Sequence, residues 1–491
     1  MGGKKKDFKI IVKSLGNSTS GVTGSMWTIE YPKNDGSKGL IGIECGLSQS
    51  EPTTEKMYLA NKKMLENIGK DVVKKCEYIF LGHQHVDHLG NLSYFCKDNG
   101  FEGKILGSKE TIEIGKELIK DSIYIHKKSL EYLNSKGIKA KALYTQSQMY
   151  EMFDHMESVI VGQKIKLNDN LYVEFRNNSH TIGSTNITFT FIKPNNQKKV
   201  ICYSSDMGSQ INKKFSYYLK EQDIPMSCNF FISEATYSDY SRQMTKEMAI
   251  SEREDMKNMI KNAIVQGKRV LLPVFAFSKA QLMVTLLWEW FHDEDWFGRT
   301  PVVMDGLLMS NINNTYLNVL ENEEKKLFEQ VMQWENLKIN KMYDSTIATL
   351  SQRTAGVYLV SSGFLKEGRI TTYLPQFLES SNDIIAINGY CGDENSRGGQ
   401  LLNKALDVIK IDKRFIQKKC TVLQYKSFSS HISRIELLEL WSRLCCDKII
   451  IHHCDDRNKS NLLSDAKEYL RSKNKTTNIE CVSKDNYIFE L

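Results

Sequence analysis

The sequence predicts an α/β protein in which a β-rich αβ domain is interrupted by a second αβ domain and then completed by the tail. Three observations predict it. At 491 residues the chain is about three times the ~150 typical of one domain, which implies two or three domains. The first half reads as short β-rich runs separated by turn residues. From about residue 240 strands alternate with helices, as a parallel sheet requires, and after about residue 420 the tail runs helix, strand, helix.

Residues 10–12, 27–31 and 40–43 are β-rich, and the turn signal Asn34-Asp35-Gly36 separates the last two, as in a hairpin. Residues 78–81 form a compact apolar strand that runs straight into a histidine-rich loop. Residues 108–136 are charged and periodic and read as helix. Strands follow at 171–175 and 200–203. An amphipathic helix over 244–266 stops at Gly267, a residue suited to a helix C-terminus. Then come strand 270–274, helix 278–292, and strands at 302–304, 357–360 and 384–387. The tail reads helix 433–444, strand 448–451 and helix 460–471. Trp288, Trp290 and Phe291 cluster on a predicted helix and are assigned to a core. His126, His155 and His292 have no partner pattern and are assigned to surface or packing roles, and the lysine runs at 4–6, 127–128 and 418–419 to solvated faces.

Composition excludes several classes. Apolar residues are 41% and charged residues 25%, a soluble globular mix and not that of a disordered, collagen-like or disulfide-scaffold chain. No run of 18 apolar residues predicts a membrane span. The start, Met1-Gly2-Gly3-Lys4-Lys5-Lys6-Asp7, is basic without a following apolar run, so it does not read as a secretory signal. Lys6 stands where acylation of Gly2 would want Ser or Thr. The net charge of +7 permits a polyanionic substrate without requiring one. The 11 cysteines are scattered, with no Cys-x-x-Cys; the only close pair is Cys445-Cys446. That argues against a disulfide framework and a cysteine zinc ribbon, and for a reducing cytoplasm.

The strongest chemical signal is His83-Gln84-His85-Val86-Asp87-His88, directly after strand 78–81. Such a constellation arises by chance roughly 2 × 10⁻⁴ times in a chain of this composition. Imidazole and carboxylate are ligands that zinc prefers. His83 and His85, two residues apart at a strand end, can turn the same way and chelate one ion, with Asp87 and His88 one step on at a second. His180, in Asn178-Ser179-His180-Thr181-Ile182-Gly183-Ser184, and Asp206, in Tyr203-Ser204-Ser205-Asp206-Met207-Gly208, each follow a predicted strand. A carboxylate such as Asp206 can bridge two metals about 3.5–4 Å apart.

In order along the chain, these motifs resemble the metallo-β-lactamase superfamily. The resemblance extends to its β-CASP branch, which contains the pre-mRNA 3′-end processing endonuclease and its prokaryotic relatives. Ser233-Glu234-Ala235-Thr236-Tyr237 resembles that branch's motif A, Phe428-Ser429-Ser430-His431 its motif B, and His453 its motif C. The segment from Leu272 to Gln281 is similar to its Pro-x-Phe-Ala-x-Gly-Arg-x-Gln run, and Ser361-Ser362-Gly363 and Gly389-Tyr390 to two further turns. The resemblance implies a four-layer αββα domain over residues 1–239 and 421–491. An α/β β-CASP cap would be inserted over 240–420, with the active site in the cleft between them.

The resemblance assigns His83, His85 and His180 to a first zinc ion, Asp87, His88 and His453 to a second, and Asp206 as the bridge. It also pairs Glu234 with His431, the latter as general acid; a carboxylate beside a histidine holds its tautomer and keeps it protonated. Phosphate contacts are expected from Lys279, Ser361, Ser362, Arg397, Ser429 and Ser430. The expected activity is hydrolysis of phosphodiester bonds in single-stranded RNA, using two zinc ions per chain to activate water. It would be endonucleolytic, with scope for a 5′–3′ exonuclease mode. The alternatives are a DNA nuclease of the same superfamily and a non-catalytic RNA-processing subunit. No membrane partner is expected. The oligomeric state is not legible in the sequence, and a homodimer is compatible with it.

Four departures from the family pattern stand out. Glu44 replaces the usual Asp behind the histidine loop. Lys279 replaces an Arg and so loses its bidentate fork. Arg397 is shifted within Asn395-Ser396-Arg397. Motif C reads His453-Cys454-Asp455 with His452 beside it as an alternative ligand, although spacing from His431 favours His453.

Overall fold

A computed structural model describes residues 8–16, 21–211, 217–239, 244–482 and 487–490. The lysine run at 4–6 and the rest of the basic start lie outside the described residues. The chain divides into two units. The first comprises Met1–Gln210, Leu219–Gln243 and His431–Leu491, and the second Ile211–Tyr218 and Met244–Ser430.

In the first unit six strands follow one another along the chain: β1 (Ile11–Ser14), β2 (Trp27–Pro32), β3 (Lys38–Ile43), β4 (Cys76–Phe80), β5 (Lys104–Ser108) and β6 (Met156–Val159). They form one sheet in that order, with the strand Ile488–Glu490 beside β1. The Asn34-Asp35-Gly36 turn closes the β2–β3 hairpin, with Gly36 at φ 84°, a left-handed conformation that glycine adopts without a steric cost. The first half is not only short strands, however. Helix Thr54–Lys75, 22 residues long, connects β3 to the parallel β4. Its apolar stripe is narrow, and Gly69 breaks the helical backbone at φ 66°, so the 3.6-residue period is interrupted.

The second sheet holds β7 (Lys164–Lys166), β8 (Leu171–Asn177), β9 (Thr185–Ile192), β10 (Lys198–Tyr203) and β11 (Phe230–Ala235). Beyond β11 lie Lys448–Cys454 and Asn478–Cys481. Side chains of both sheets share one core, in which Trp27, Ile29, Tyr31 and Phe80 meet Phe175, Phe189, Tyr203, Ile232 and Ile450. Helices Thr54–Lys75 and Lys109–Ser135 cover the outer face of the first sheet. Arg434–Arg443 and Asp456–Ser472 cover that of the second. The result is four layers, αββα. The last helix starts at Asp456 and not at 460, because the Asp455 side chain caps it by accepting from Arg457 N, a favourable N-cap contact.

The second unit is a six-stranded parallel sheet in the order Leu337–Asn340, Val302–Asp305, Gly356–Val360, Arg269–Pro273, Ile384–Asn388, Thr421–Tyr425. Several of its strands are buried throughout, as expected when helices cover both faces. Phe291 is buried and Trp288 and Trp290 pack against the same core, so these aromatics are packing residues. His126, His155 and His292 likewise take local roles: His126 Nε2 accepts from Leu143 N at 3.2 Å, and His155 and His292 bond to backbone carbonyls. Among the described residues no helix is long and apolar enough to cross a membrane.

Candidate metal centre

Carboxyl ends of parallel strands point the same way, so residues just beyond them collect at one edge. In the first unit β3 ends before Glu44, β4 before the His83–His88 loop and β10 before Asp206; Glu234 is the penultimate residue of β11, and His453 that of Lys448–Cys454. His180 comes from the turn between the antiparallel β8 and β9. Two glycines let these loops approach closely. A Cβ on Gly46 would lie 1.6 Å from the Asp87 carbonyl oxygen, and one on Gly208 2.0 Å from that of Ser179.

His83 Nε2 is 3.1 Å from His85 Nδ1, which is 3.2 Å from His180 Nε2. Asp206 Oδ2 lies 3.6 Å from His83 Nε2, 3.7 Å from His180 Nε2 and 3.4 Å from His88 Nε2. On the other side, Asp87 Oδ2 is 3.8 Å from His88 Nε2 and 3.6 Å from His453 Nε2. Asp206 Oδ1 is 3.5 Å from His453 Nδ1. Asp206 therefore stands between two clusters of donors, one of His83, His85 and His180, the other of Asp87, His88 and His453.

These residues fit metal ions. Four nitrogen or oxygen ligands at ~2.0–2.1 Å in a tetrahedron lie about 3.3 Å apart, and the nitrogens of the first cluster are spaced that way. His88 Nε2, His453 Nε2 and Asp206 Oδ1 are buried without a hydrogen-bond partner, an arrangement that is costly unless something else satisfies them. Burial holds His83 and His180 well below the ordinary histidine range and His85 down to about 4, so these imidazoles are neutral, the form a metal takes. Burial also opposes charge on Asp206 and His88. The surrounding histidines nevertheless keep the Asp206 carboxyl well below its usual range, and Glu44, Asp206 and Asp87 hold His88 well above its own.

Behind these two clusters the buried Glu44 carboxylate accepts three hydrogen bonds: His88 Nδ1 at 2.6 Å, Tyr203 OH at 2.5 Å and Ser205 Oγ at 2.8 Å. Ser205 Oγ also bonds His83 Nδ1 at 2.9 Å. Both Nδ1 atoms are thus occupied, which turns the Nε2 atoms of His83 and His88 toward Asp206. The longer carboxylate expected at position 44 therefore reaches the histidine loop. Tyr203 and Ser205 were in the quoted Asp206 motif but without a role; their spacing of two along one strand end is the signal that they share a face.

His452 and His453 separate cleanly. Glu234 pairs with His452 and Ala235 with Cys454, so His453 is the extra residue of a β-bulge, at φ 51°. Bulges re-aim side chains, and this one turns His453 to Asp87 and Asp206. His452 stays in the intersheet core, its ring 5.2 Å from Tyr203 and 5.6 Å from Trp27. Glu44, Ser179 and Ser205 also have left-handed backbones, at φ 61°, 63° and 50°, so strained residues cluster around the centre.

Glu234 is fixed by Met207 N, Thr236 N and Thr236 Oγ1 at 2.7, 2.9 and 2.5 Å. His431 Nδ1 lies 3.5 Å from Glu234 Oε1 and 3.9 Å from Asp206 Oδ2, half-buried, with its ring 5.2 Å from that of Tyr237.

The six residues expected at phosphate lie in the second unit. Lys279 opens helix Lys279–Phe291, and burial together with the Arg253 guanidinium pushes its amine down to about 7. Ser361 and Ser362 follow strand Gly356–Val360, and Ser362 Oγ donates to the Glu367 carbonyl at 3.0 Å. Arg397 donates to the carbonyls of Leu365 and Lys366 at 2.8 and 3.0 Å, so its guanidinium holds the loop after Ser361-Ser362. Ser429 and Ser430 are half-buried. Sequence reasoning missed three partly exposed aromatics at carboxyl ends of this sheet. The Phe275 and Phe364 rings are 4.9 Å apart, and Phe364 and Tyr390 6.2 Å. Phe275 and Tyr390 were inside quoted motifs; exposure is the property that a sequence does not print.

Residues 280–401 match the Beta-Casp domain family. Over 404 residues the chain is 22% identical to the endoribonuclease YSH1 of Saccharomyces cerevisiae, covering 80% of this chain and 50% of that one. It is 20% identical over 372 residues to ribonuclease TTHA0252 of Thermus thermophilus, covering 74% and 79%. With the probable RNase MJ4 of Methanocaldococcus jannaschii it shares 25% over 433 residues, covering 84% and 91%. The chain spans about half the length of the YSH1 relatives. The crystal structure of a protein of unknown function from Enterococcus faecalis V583 shares the fold, with a TM-score of 0.55, 12% identity, and coverage of 98% of this chain and 100% of that one.

Proposed function

The chain belongs to the β-CASP ribonuclease family of metallo-β-lactamase fold, and from that premise we propose that it is a zinc-dependent endoribonuclease acting on single-stranded RNA. The observation that carries the reading is the convergence of His83, His85, His180, Asp206, Asp87, His88 and His453 into two donor clusters that share one carboxylate. Ribonuclease names on relatives from a yeast, a bacterium and an archaeon support RNA as the substrate.

In this reading His83, His85 and His180 would hold one zinc ion, Asp87, His88 and His453 the other, with Asp206 placed to serve either. Bound there, the ions would supply a nucleophilic water at neutral pH and neutralise charge on the phosphate. The protein's own groups do the rest. Glu44 and Ser205 orient His88 and His83. Glu234, fixed by three donors, accepts from His431 Nδ1 and leaves Nε2 as the atom that carries a proton to the departing oxygen. Lys279 offers a point charge to phosphate, and Phe275, Phe364 and Tyr390 offer rings on which bases can stack. The eleven free cysteines suit the reducing cytoplasm.

The test is incubation of the purified protein, its metal content measured, with labelled single-stranded RNA and DNA of one sequence, with and without chelator. Internal cleavage of RNA that stops on chelation is expected. Metal-loaded protein that leaves RNA intact would overturn the reading, and cleavage of DNA alone would move it to a DNA nuclease.

A further inference from the structure

Far from the metal centre along the same strands, two cysteines meet. Ser227 bridges Cys445 in parallel, and Phe230 pairs with Lys448 at the same offset. That register sets Cys228 directly across from Cys446, with Cys228 N donating to the Cys445 carbonyl at 3.2 Å. Adjacent strands run about 4.8 Å apart, inside the ~4.4–6.8 Å between Cα atoms that a disulfide spans. Both side chains lie against the same core, the one that packs on the outer face of the second sheet.

The pair is asymmetric. Cys228 is buried, whereas Cys446 is half-buried and reachable from solvent. The Thr477 hydroxyl donates to the Cys446 carbonyl at 3.1 Å, and Lys475 is nearby. The Cys228 thiol, the Thr477 hydroxyl and Lys475 draw Cys446 below the ordinary cysteine range. Cys228, held by its contact with Cys446 and by burial, is pushed above it. One sulfur is thus suited to attack and the other to follow.

We propose that Cys228 and Cys446 are a modification site that a hydroperoxide converts to a disulfide and a cellular dithiol restores. In the first step the Cys446 thiolate attacks the terminal oxygen of the peroxide: an S–O bond forms, the O–O bond breaks and the alkoxide leaves (hydroxide from hydrogen peroxide), so the sulfur is oxidised by two electrons and the peroxide reduced. In the second, Cys228 attacks that sulfur: the S–S bond forms, the S–O bond breaks, and water departs with the Cys228 proton. A dithiol reverses the linkage by exchange and is itself oxidised. The bond joins the two segments of the first unit that flank Met244–Ser430 in the chain. It also fastens the entrance of β11, which carries Glu234, to that of Lys448–Cys454, which carries His453.

The experiment treats the full, metal-loaded chain with a small excess of hydrogen peroxide, alkylates the remaining thiols, and follows non-reducing gel mobility, peptide mass and melting temperature. A Cys228–Cys446 cross-linked peptide is expected. Closing a loop of about 220 residues compacts the denatured chain, so the oxidised protein should migrate faster until dithiothreitol is added, and its melting temperature should rise. Cys446→Ser and Cys228→Ala should abolish all three effects, and Cys445→Ser should keep them. Because Cys446 is only half-buried, Cys446→Ser keeps the test decisive should Cys228→Ala fold poorly. A Cys445–Cys446 linkage, dimers joined through Cys445, or Cys446 carried on to sulfinic acid without a cross-link would each overturn the proposal.

Discussion

The Glu44 carboxylate and the His88 imidazole, both fully buried, meet at 2.6 Å between Oε2 and Nδ1. The same carboxylate anchors Tyr203 and Ser205, so it serves the metal centre through three neighbours without belonging to either donor cluster as we propose them. Groups that orient metal ligands are typically worth 10–100-fold in affinity. Glu44→Ala should lower metal affinity by about that factor and destabilise the fold by about 1–3 kcal/mol for each buried donor left unpaired. Glu44→Asp should retain two metals. Metal retention against a chelator of known affinity reads the difference; an alanine variant that holds metal as the parent does would remove Glu44 from this role.

The bulge at His453 separates two adjacent histidines into different tasks. His453→Ala should lose metal and cleavage. His452→Phe should keep both, since the ring packs on Tyr203 and Trp27 and its two nitrogens are buried without hydrogen-bond partners. Elemental analysis of the two variants decides; metal loss in His452→Phe with unchanged melting temperature would reverse the assignment.

Under the proposed mechanism, chemistry and binding should separate at His431. His431→Ala should keep its metals and bind single-stranded RNA as the parent does, while cleavage falls by roughly 10²–10⁴, the usual contribution of a positioned general acid. A nitrophenyl phosphodiester, whose leaving oxygen needs no proton, should be slowed far less. Equal slowing of both substrates, with metal content and melting temperature unchanged, would exclude proton donation by this residue.

Lys279 provides a pH signature. With its amine pushed down to about 7, it is mostly charged at pH 6 and mostly neutral at pH 8. Any phosphate contact it makes is present below about pH 7 and lost as the pH rises. Affinity for single-stranded RNA should therefore weaken several-fold from pH 6 to pH 8, and Lys279→Arg should flatten the curve, because arginine stays charged throughout. A parent curve that is already flat, or an arginine variant with the same slope, counts against the contact.

Much of this was legible in the sequence because chemistry at strand ends leaves dense local signals. The His83–His88 loop, His180 and Asp206 each follow a strand whose apolar run is visible, and the structure brings them together. What stayed hidden depends on three-dimensional registration. The bulge that turns His453 away from His452 is a mismatch between two strands more than 200 residues apart in sequence. Helix Thr54–Lys75 was obscured by its narrow apolar stripe and by Gly69. The engagement of Arg397 by two carbonyls could not be read from its position in a motif.

The order in which a ribosome releases these groups differs from the order in which the sheet arranges them. Asp206 emerges long before His453, and β11 waits for its neighbour Lys448–Cys454 until all of Met244–Ser430 has been made. At ~5–20 residues per second, making that segment takes roughly 9–37 s. Throughout it the nascent polypeptide carries His83, His85, Asp87, His88, His180 and Asp206 but neither His431 nor His453. Under the proposed activity, a growing chain close to its own messenger lacks both its proton donor and one of its zinc ligands. Competence to cut RNA then arrives only once His453 has been made, as a product of gene order in a split domain.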